Sequence, residues 1–264
     1  MNTRLQIIGG GNMGEALLGG LAATGWASNE TLHVVELDAD RRQVLATAHP
    51  GLSVGSEPLT GVDALIAVKP HIVPAVCATL ASAEVTRALS IAAGVTLATL
   101  EASLAPGTAV VRAMPNTPSL VGLGAAAIAA GTKASNDDLN WATSILSSVG
   151  TVVVVDEIDL DAVTGLSGSG PAYVFLLAEA LMAAAQAEGL TAPIAKELTQ
   201  QTLLGAATLL ATSEDSAATL RQNVTSKGGT TAAGLAVFEE AGFGELIQQV
   251  VSAAAQRARE LGAT

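Results

Sequence analysis

Aromatic side chains and cysteine are both scarce in this chain. Phe, Trp and Tyr make up only 2% of the 264 residues, although 50% are hydrophobic, so a core has to be built from Ala, Leu, Val and Ile. The one cysteine, Cys77, excludes an intramolecular disulfide and is typical of a protein that works in a reducing compartment. Because no charged segment leads into an apolar one at the N-terminus, we expect no secretory signal.

Basic residues are also few. The chain carries 12 Lys and Arg against 24 Asp and Glu, which gives a net charge of -12. Such a charge repels nucleic acid and anionic membrane surfaces. Gly, Pro or charged residues interrupt the apolar runs before the ~20 residues that a membrane span requires. We therefore expect a cytoplasmic protein without nucleic-acid or membrane partners.

Histidine is represented only by His33, His49 and His71. Neither the spacing of His and Cys nor a cluster of carboxylates predicts a metal site, so we expect no metal. The G-x-S-x-G elbow of many serine hydrolases is absent as well. His33 and His49 fit structural or surface roles, whereas His71 follows Lys69-Pro70 at a strand end, the edge where parallel sheets bind ligands.

What the chain does contain is an alternation of strand and helix patterns over its first 155 residues. The pattern predicts a mostly parallel sheet with helices on both faces, an α/β fold. The predicted strands are Leu5–Ile8, Leu32–Val35, Ala64–Val68, Leu89–Ala92, Ala109–Arg112, Ala125–Ala129 and Thr151–Val155. The predicted helices are Met13–Thr24, one from about Asp40, and Asn136–Ser148.

Strand patterns stop after about Asp156. Pro171–Glu188 has Pro in its first turn and Gly after its end, as helices do. A second helix follows from Thr191 to about Ala211, and further helical stretches fill Ser216–Leu261. We place a domain boundary near residue 158, between domains 1–158 and 159–264. The helical domain of about a hundred residues buries too little surface alone, so we expect it to pair with a second subunit.

A glycine-rich turn follows the first predicted strand. Gly9, Gly11 and Gly14 form G-x-G-x-x-G, with an additional glycine at position 10. In a strand–turn–helix context these glycines permit the tight turn, the approach of a pyrophosphate and close helix packing. The motif predicts a dinucleotide site. The alternative is a tight turn that binds no ligand.

An acidic residue, Glu36, ends the second predicted strand, about 20 residues after the motif. An acid at this position accepts hydrogen bonds from the adenosine ribose and favours NAD. Arg41 and Arg42 follow closely and could bind the 2′-phosphate of NADP instead. The third interpretation is that all three side chains are solvated surface residues.

A second glycine turn lies near the C-terminal end, where Ser226-Lys227-Gly228-Gly229-Thr230-Thr231 leads into an apolar helical run. A helix start offers backbone N–H groups and the positive end of the helix dipole, and suits a small carboxylate. The alternative is a simple cap, for which Thr is well suited. A nucleotide turn together with an acid-binding turn suggests a reductase. Because no obvious proton donor is present, a C=N bond, which can arrive already protonated, is a better substrate than a ketone.

Five sequence blocks carry a family resemblance over nearly the whole chain: Ile7–Gly14 (IIGGGNMG), Val68–Pro70 (VKP), Arg112–Pro118 (RAMPNTP), Leu166–Tyr173 (LSGSGPAY) and Asn223–Thr231 (NVTSKGGTT). With these blocks the chain resembles pyrroline-5-carboxylate reductase, which reduces a cyclic imine to proline in the last step of proline synthesis. The resemblance implies an N-terminal Rossmann-type domain and a C-terminal all-helical dimerisation domain. It also implies NAD(P)H as hydride donor, pyrroline-5-carboxylate as substrate, and a homodimer that in many members assembles further into a decamer of five dimers.

The resemblance also implies residue roles. Thr231 would donate a hydrogen bond near the imine nitrogen and is the expected catalytic residue. The expected substrate-binding residues are Glu214, Ser226, Gly228, Gly229, Thr230 and Thr231. The expected cofactor-binding residues are Gly9, Gly10, Gly11, Asn12, Met13, Gly14, Glu36, Ser56, Ala67, Val68, Lys69, Ala92, Ala93, Asn116 and Asn223.

Two positions depart from the family pattern. Lys227 stands where many members have proline, and it adds a cation near the carboxylate-binding turn. Glu36 stands where members that prefer NADPH carry small, hydroxyl or basic residues, so the cofactor preference stays open. Two rival functions are a β-hydroxyacid dehydrogenase, which would need a lysine that Pro171–Glu188 lacks, and a protein that binds NAD(P) without chemistry.

Overall fold

A computed structural model describes residues 3–262 of the chain. Its contacts divide the chain into two compact units, one formed by residues 3–169 with 252–262 and the other by Gly170–Val251. The longer segment of the first unit ends at Ser169, inside the helical stretch Glu157–Ala187. The domain boundary near residue 158 stays a prediction.

The first unit contains the strands. They are β1 (Leu5–Ile8), β2 (Leu32–Val35), β3 (Ser53–Gly55), β4 (Ala64–Ile66), β5 (Arg87–Ser90), β6 (Ala109–Met114), β7 (Gly124–Ala130) and β8 (Gly150–Val154). Between and after them lie α1 (Asn12–Ala23), α2 (Ala39–Ala48), α3 (Val73–Ser82), α4 (Leu97–Ser103), α5 (Asn136–Leu146) and α6 (Leu160–Val163). The seven predicted strands are therefore present, two of them with the predicted ends and five with ends that shift by at most two residues, and β3 was not predicted.

All eight strands form one sheet in the order β3-β2-β1-β4-β5-β6-β7-β8. Every neighbouring pair is parallel except β6 and β7. The connection between these two runs only from Met114 to Gly124, which is too short for the crossover helix that a parallel pair requires. The predicted α/β fold with a mostly parallel sheet is confirmed.

Two hydrophobic clusters cover the two faces of the sheet. On one face Leu17, Leu18 and Leu21 of α1 pack with Ile145 of α5. On the other face Val73, Cys77 and Leu80 of α3 pack with Leu97 and Leu100 of α4. Aliphatic side chains dominate both clusters, as the low aromatic content predicts.

The second unit is helical. It contains α7 (Gly170–Ala187), α8 (Ala192–Thr212), α9 (Ala217–Asn223), α10 (Thr230–Glu240) and the first part of α11 (Phe243–Gly262). Among its described residues only Ala195 and Thr199 are buried. Phe175 is 63% exposed and Leu176 66%. A unit with so little burial depends on a further surface for stability.

One described helical stretch, Glu157–Ala187, is long and apolar enough by length and composition to cross a membrane. Its most apolar part has a mean hydropathy of 1.3 and is 0% buried. The uninterrupted apolar runs of the sequence are too short to predict such a span. The mean hydropathy of the stretch is nevertheless high, because alanine is frequent between the glycines and charged residues that interrupt those runs. The absence of a membrane partner stays a prediction.

The start of α5 illustrates how local sequence determines a helix end. Asp138 accepts hydrogen bonds from the Ser135 N–H at 2.8 Å and from its hydroxyl at 2.7 Å, and the Ser135 hydroxyl accepts from the Asp138 N–H. Burial acts to raise the pKa of Asp138, but these bonds and the Arg87 charge outweigh it and hold the pKa below its ordinary value. The ionised carboxylate therefore stabilises the fold.

We predict that Asp138→Asn lowers the free energy of unfolding by about 1 kcal/mol at pH 7, as loss of a helix cap does. Since the folded-state pKa is lowered, this stabilisation is complete above the unfolded value of 3.8 and is lost as the pH falls through the folded value. Urea unfolding of both proteins between pH 7 and pH 3, at one protein concentration, measures the difference. Asp137→Asn in the same turn is the matched control; an equal loss there, or a difference independent of pH, would contradict the prediction.

Candidate active site

The glycine turn joins β1 to α1. Gly9 has a φ of +106°, and a Cβ there would lie 2.6 Å from the Ala67 carbonyl oxygen. A Cβ on Gly14 would lie 2.1 Å from the Gly9 carbonyl oxygen. Gly11, which caps α1, differs, because a Cβ there would meet none of the described residues within 4 Å. The turn is closed on the protein side and open at Gly11, as a pyrophosphate site requires.

A cleft of about 530 Å³ lies beside this turn, at the carboxyl ends of β1, β2 and β4. Sheets of this type bind ligands there, where the strand order reverses. Seven of the expected cofactor residues line the cleft: Gly9, Gly11, Glu36, Ser56, Ala67, Val68 and Lys69. The structure thus brings together residues from four separate segments of the chain.

Other lining residues were not predicted. They include Leu37, Glu57 and Pro58 and four side chains that α3 or the turn before it supplies, Ile72, Ala75, Val76 and Thr79. The apolar run after Val68–Pro70 was the available signal, because a helix that follows a strand of a parallel sheet packs against that sheet.

Glu36 is not a solvated surface residue. Its Oε2 accepts a hydrogen bond from the Gly10 N–H at 3.0 Å, and its Oε1 accepts one from the Asp38 N–H at 3.0 Å. These two bonds fix the carboxylate at the end of β2 and on the wall of the cleft. The interpretation of Glu36 as ordinary surface is wrong.

Arg41 and Arg42 are engaged with the protein itself. Arg41 donates from Nε to the Gly10 carbonyl oxygen at 2.7 Å and from Nη2 to Glu15 at 2.5 Å. The bond from Arg41 is the main reason that the pKa of Glu15 is lowered; burial opposes it and His49 assists it. Arg42 donates to the carbonyl oxygens of Glu36 and Leu37, each at 2.8 Å. Neither arginine is among the described residues that line the cleft.

The remaining expected cofactor residues of this unit lie elsewhere. Asn12 and Met13 begin α1, and Ala92 and Ala93 follow β5. Asn116 donates from Nδ2 to the Ser167 carbonyl oxygen at 3.1 Å and accepts from the Ala125 N–H at 2.9 Å. Its amide therefore links the turn after β6 to two other segments. The cofactor roles of these residues stay predictions.

In the helical unit, the second glycine turn lies between α9 and α10. Gly228 has a φ of +71°, and the Gly229 N–H donates to the Ser226 carbonyl oxygen at 3.0 Å. Gly229 is the N-cap of α10, so the interpretation of either threonine as the cap is wrong. Thr230 and Thr231 form the first turn, whose N–H groups have no intrahelical acceptor, and Thr231 is exposed. This arrangement can bind an anion.

Three further residues of interest lie near this turn in sequence. Asn223 ends α9, Lys227 lies inside the turn, and Glu214 lies in the loop between α8 and α9. All three are exposed. Their roles toward cofactor and substrate stay predictions.

Comparison with known proteins covers both units. The family model described as pyrroline-5-carboxylate reductase dimerisation matches residues 157–261, and the model described as NADP oxidoreductase, coenzyme F420-dependent, matches residues 4–94. The pyrroline-5-carboxylate reductase of Synechocystis sp. is 44% identical, over 99% of this chain and 99% of the relative.

Solved structures of this kind of reductase are similar to the chain as well. The pyrroline-5-carboxylate reductase from Coxiella burnetii is 38% identical, with a TM-score of 0.93 and coverage of 100% of both chains. The pyrroline carboxylate reductase of Plasmodium falciparum, solved with NADP bound, is 28% identical, with a TM-score of 0.84 over 99% of this chain and 98% of that one.

We predict that Gly11→Ala weakens binding of a nicotinamide dinucleotide by about tenfold or more, because its methyl group would occupy the open side of the turn where the pyrophosphate approaches. The melting temperature should stay nearly unchanged, since the added Cβ meets no described atom. Titration calorimetry and thermal unfolding measure the two quantities.

Gly19→Ala, in the middle of α1, is the matched control, because its Cβ also meets nothing within 4 Å and Gly19 does not line the cleft. Unchanged affinity in Gly11→Ala, or the same loss in Gly19→Ala, would show that this turn does not hold the pyrophosphate.

Proposed function

The chain belongs to the pyrroline-5-carboxylate reductase family, and we propose from this premise that it reduces the C=N bond of L-1-pyrroline-5-carboxylate to give L-proline. It is an NAD(P)H-dependent oxidoreductase, and this reaction is the last step of proline biosynthesis. The observation that carries the proposal is the 44% identity over 99% of the chain, because that match includes both the cleft and the start of α10.

The cleft residues fit a nicotinamide dinucleotide. The open backbone at Gly11 would hold the pyrophosphate, Glu36 and Ser56 would bind the adenosine ribose, and Ala67 and Val68 would line the nicotinamide side. The bound cofactor supplies a hydride. Residues from four segments line this one cleft. This supports the proposal, because a turn that binds no ligand does not require such an arrangement.

The start of α10 would bind the substrate. The carboxylate of the substrate would accept hydrogen bonds from the backbone N–H groups of Gly228 and Thr230, and the positive end of the helix dipole would add attraction. The Gly229 N–H is engaged by Ser226, so we assign Gly229 the turn conformation rather than the main contact. Thr231 would place its hydroxyl beside the imine nitrogen, where it can donate a hydrogen bond to the unprotonated nitrogen and accept one from the protonated nitrogen.

The reaction then balances simply. The carbon of the protonated C=N bond accepts the hydride, and the π electrons of that bond become the lone pair of the ring nitrogen, which keeps its proton and becomes neutral. Because the substrate brings that proton with it, Thr231 has to orient the nitrogen and does not have to supply a charged acid. This accounts for an active site without a catalytic histidine.

The chain forms a homo-oligomer, as its dimerisation region indicates. We propose a homodimer as the basic unit, a decamer of five dimers as the larger assembly, and a cytoplasmic location. The exposed apolar side chains of α7, such as Phe175 and Leu176, would pack against the second copy instead of lipid. They lie within the residues that match the dimerisation family.

We predict that Thr231→Ala lowers kcat with pyrroline-5-carboxylate by one or more orders of magnitude, because the imine nitrogen loses the hydroxyl that orients it. Since Gly229 and not Thr231 caps the helix, the melting temperature should hardly change. Loss of nicotinamide absorbance during turnover, together with thermal unfolding, provides both readouts.

Thr230→Ala is the matched control, because Thr230 is expected to act through its backbone N–H, which the substitution retains. Thr231→Ser should recover most of the rate. If Thr231→Ala instead unfolds easily and keeps its rate per folded molecule, the residue is structural. If the unmodified protein oxidises neither NADH nor NADPH in the presence of the imine, the proposed function is wrong.

A further inference from the structure

The adenosine end of the cleft is acidic. Glu36 directly follows β2, the position from which a carboxylate binds the ribose hydroxyls in folds of this type, and Glu57 lines the same cleft beside Ser56. Lys69 is the one basic residue among the described residues that line it. Lys69 follows β4, which β1 separates from β2, and two strand spacings amount to about 10 Å. The charge near the ribose position is therefore negative.

Glu36 is held ready for hydroxyl groups. The Gly10 and Asp38 N–H groups bind one carboxylate oxygen each. Each oxygen of an ionised carboxylate can accept a second hydrogen bond. Two acceptor positions thus remain for the 2′- and 3′-hydroxyls of a ribose, on a side chain whose orientation is already fixed.

The two nearby arginines have other partners. Arg41 links the Gly10 carbonyl oxygen to Glu15, and Arg42 binds two carbonyl oxygens at the end of β2. Either side chain would have to leave these partners to reach a 2′-phosphate. Arg41 in particular would release a carboxylate and a backbone carbonyl that it neutralises and positions.

We propose that this cleft selects NADH over NADPH, with Glu36 as the specificity-determining residue and with both arginines confined to bracing the turn. A 2′-phosphate would lie against a fixed carboxylate, and like charges brought together at a binding surface strongly disfavour the complex. The choice differs from the NADP bound by the Plasmodium falciparum relative. It deepens the proposed function and rests on it for the use of the cofactor, although binding itself can be measured without the imine.

The direct test is titration calorimetry of the purified full-length protein with NADH and with NADPH, without imine. We expect the Kd for NADH to be lower by at least about tenfold. Equal affinities, or tighter binding of NADPH, would overturn the proposal. Steady-state rates with each cofactor and pyrroline-5-carboxylate should follow the same order.

Glu36→Gln tests the assigned residue, because it keeps the shape and one acceptor oxygen but removes the charge. We expect the ratio of the two Kd values to fall by about tenfold, chiefly through tighter NADPH binding. Glu30→Gln removes the same charge outside the cleft and should leave the ratio unchanged. An unchanged ratio in Glu36→Gln, or an equal change in Glu30→Gln, would contradict the role of Glu36.

Arg41→Ala and Arg42→Ala test the bracing role. Each should weaken both cofactors by a similar factor and leave their ratio unaltered. A selective loss of NADPH binding would show that an arginine holds a 2′-phosphate, and would overturn the proposal.

The two proposals fail in different ways. Tight NADH binding without reduction of the imine refutes the proposed function and leaves the cofactor assignment intact. Imine reduction that proceeds best with NADPH, with matching affinities, refutes the cofactor assignment alone.

Discussion

The close approach of α1 to β1 is the contact on which the cofactor side of the molecule depends. It is possible only because residue 14 is glycine, since a Cβ there would lie 2.1 Å from the Gly9 carbonyl oxygen. Gly10, in the middle of the resulting turn, is bound through both of its backbone polar groups. Glu36 accepts a hydrogen bond from its N–H, and Arg41 donates one to its carbonyl oxygen. The same carboxylate that anchors the turn also lines the cleft. One side chain thus anchors the turn and carries the cofactor choice that we propose.

The helical unit follows a different logic. Only two of its described residues are buried, although large apolar side chains are frequent on its helices. The free energy that such side chains gain on leaving water is about 25 cal/mol per Å² of apolar surface, and within one chain most of it is not realised. A unit of this kind is stable as part of an assembly, which agrees with the dimerisation family that matches residues 157–261. Assembly is thus a condition for this part of the structure and not an addition to it.

Sequence patterns predicted much of this architecture because they report burial and backbone conformation. The apolar runs indicated seven strands, and the glycine spacing indicated the turn. β3 (Ser53–Gly55) escaped prediction because it is three residues long and only half buried at the sheet edge. Sequence also left three interpretations of Glu36, Arg41 and Arg42 open, because which charges pair depends on where separate segments meet in space. The lining residues from α3 were missed although the apolar run after Val68–Pro70 indicated a helix that packs against the sheet. The sequence block Asn223–Thr231 predicted a catalytic role for Thr231, but the packing of the chain does not test that role.

The proposed reaction transfers a hydride from the nicotinamide to the imine carbon. The most direct measurement follows the atom itself, with NADH deuterated at both transferable positions of the nicotinamide ring, pyrroline-5-carboxylate, and mass spectrometry of the product. This transfer should give proline that carries a single deuterium on the former imine carbon, in an amount equal to the cofactor consumed. Unlabelled proline, or consumption of the cofactor without proline, would contradict it.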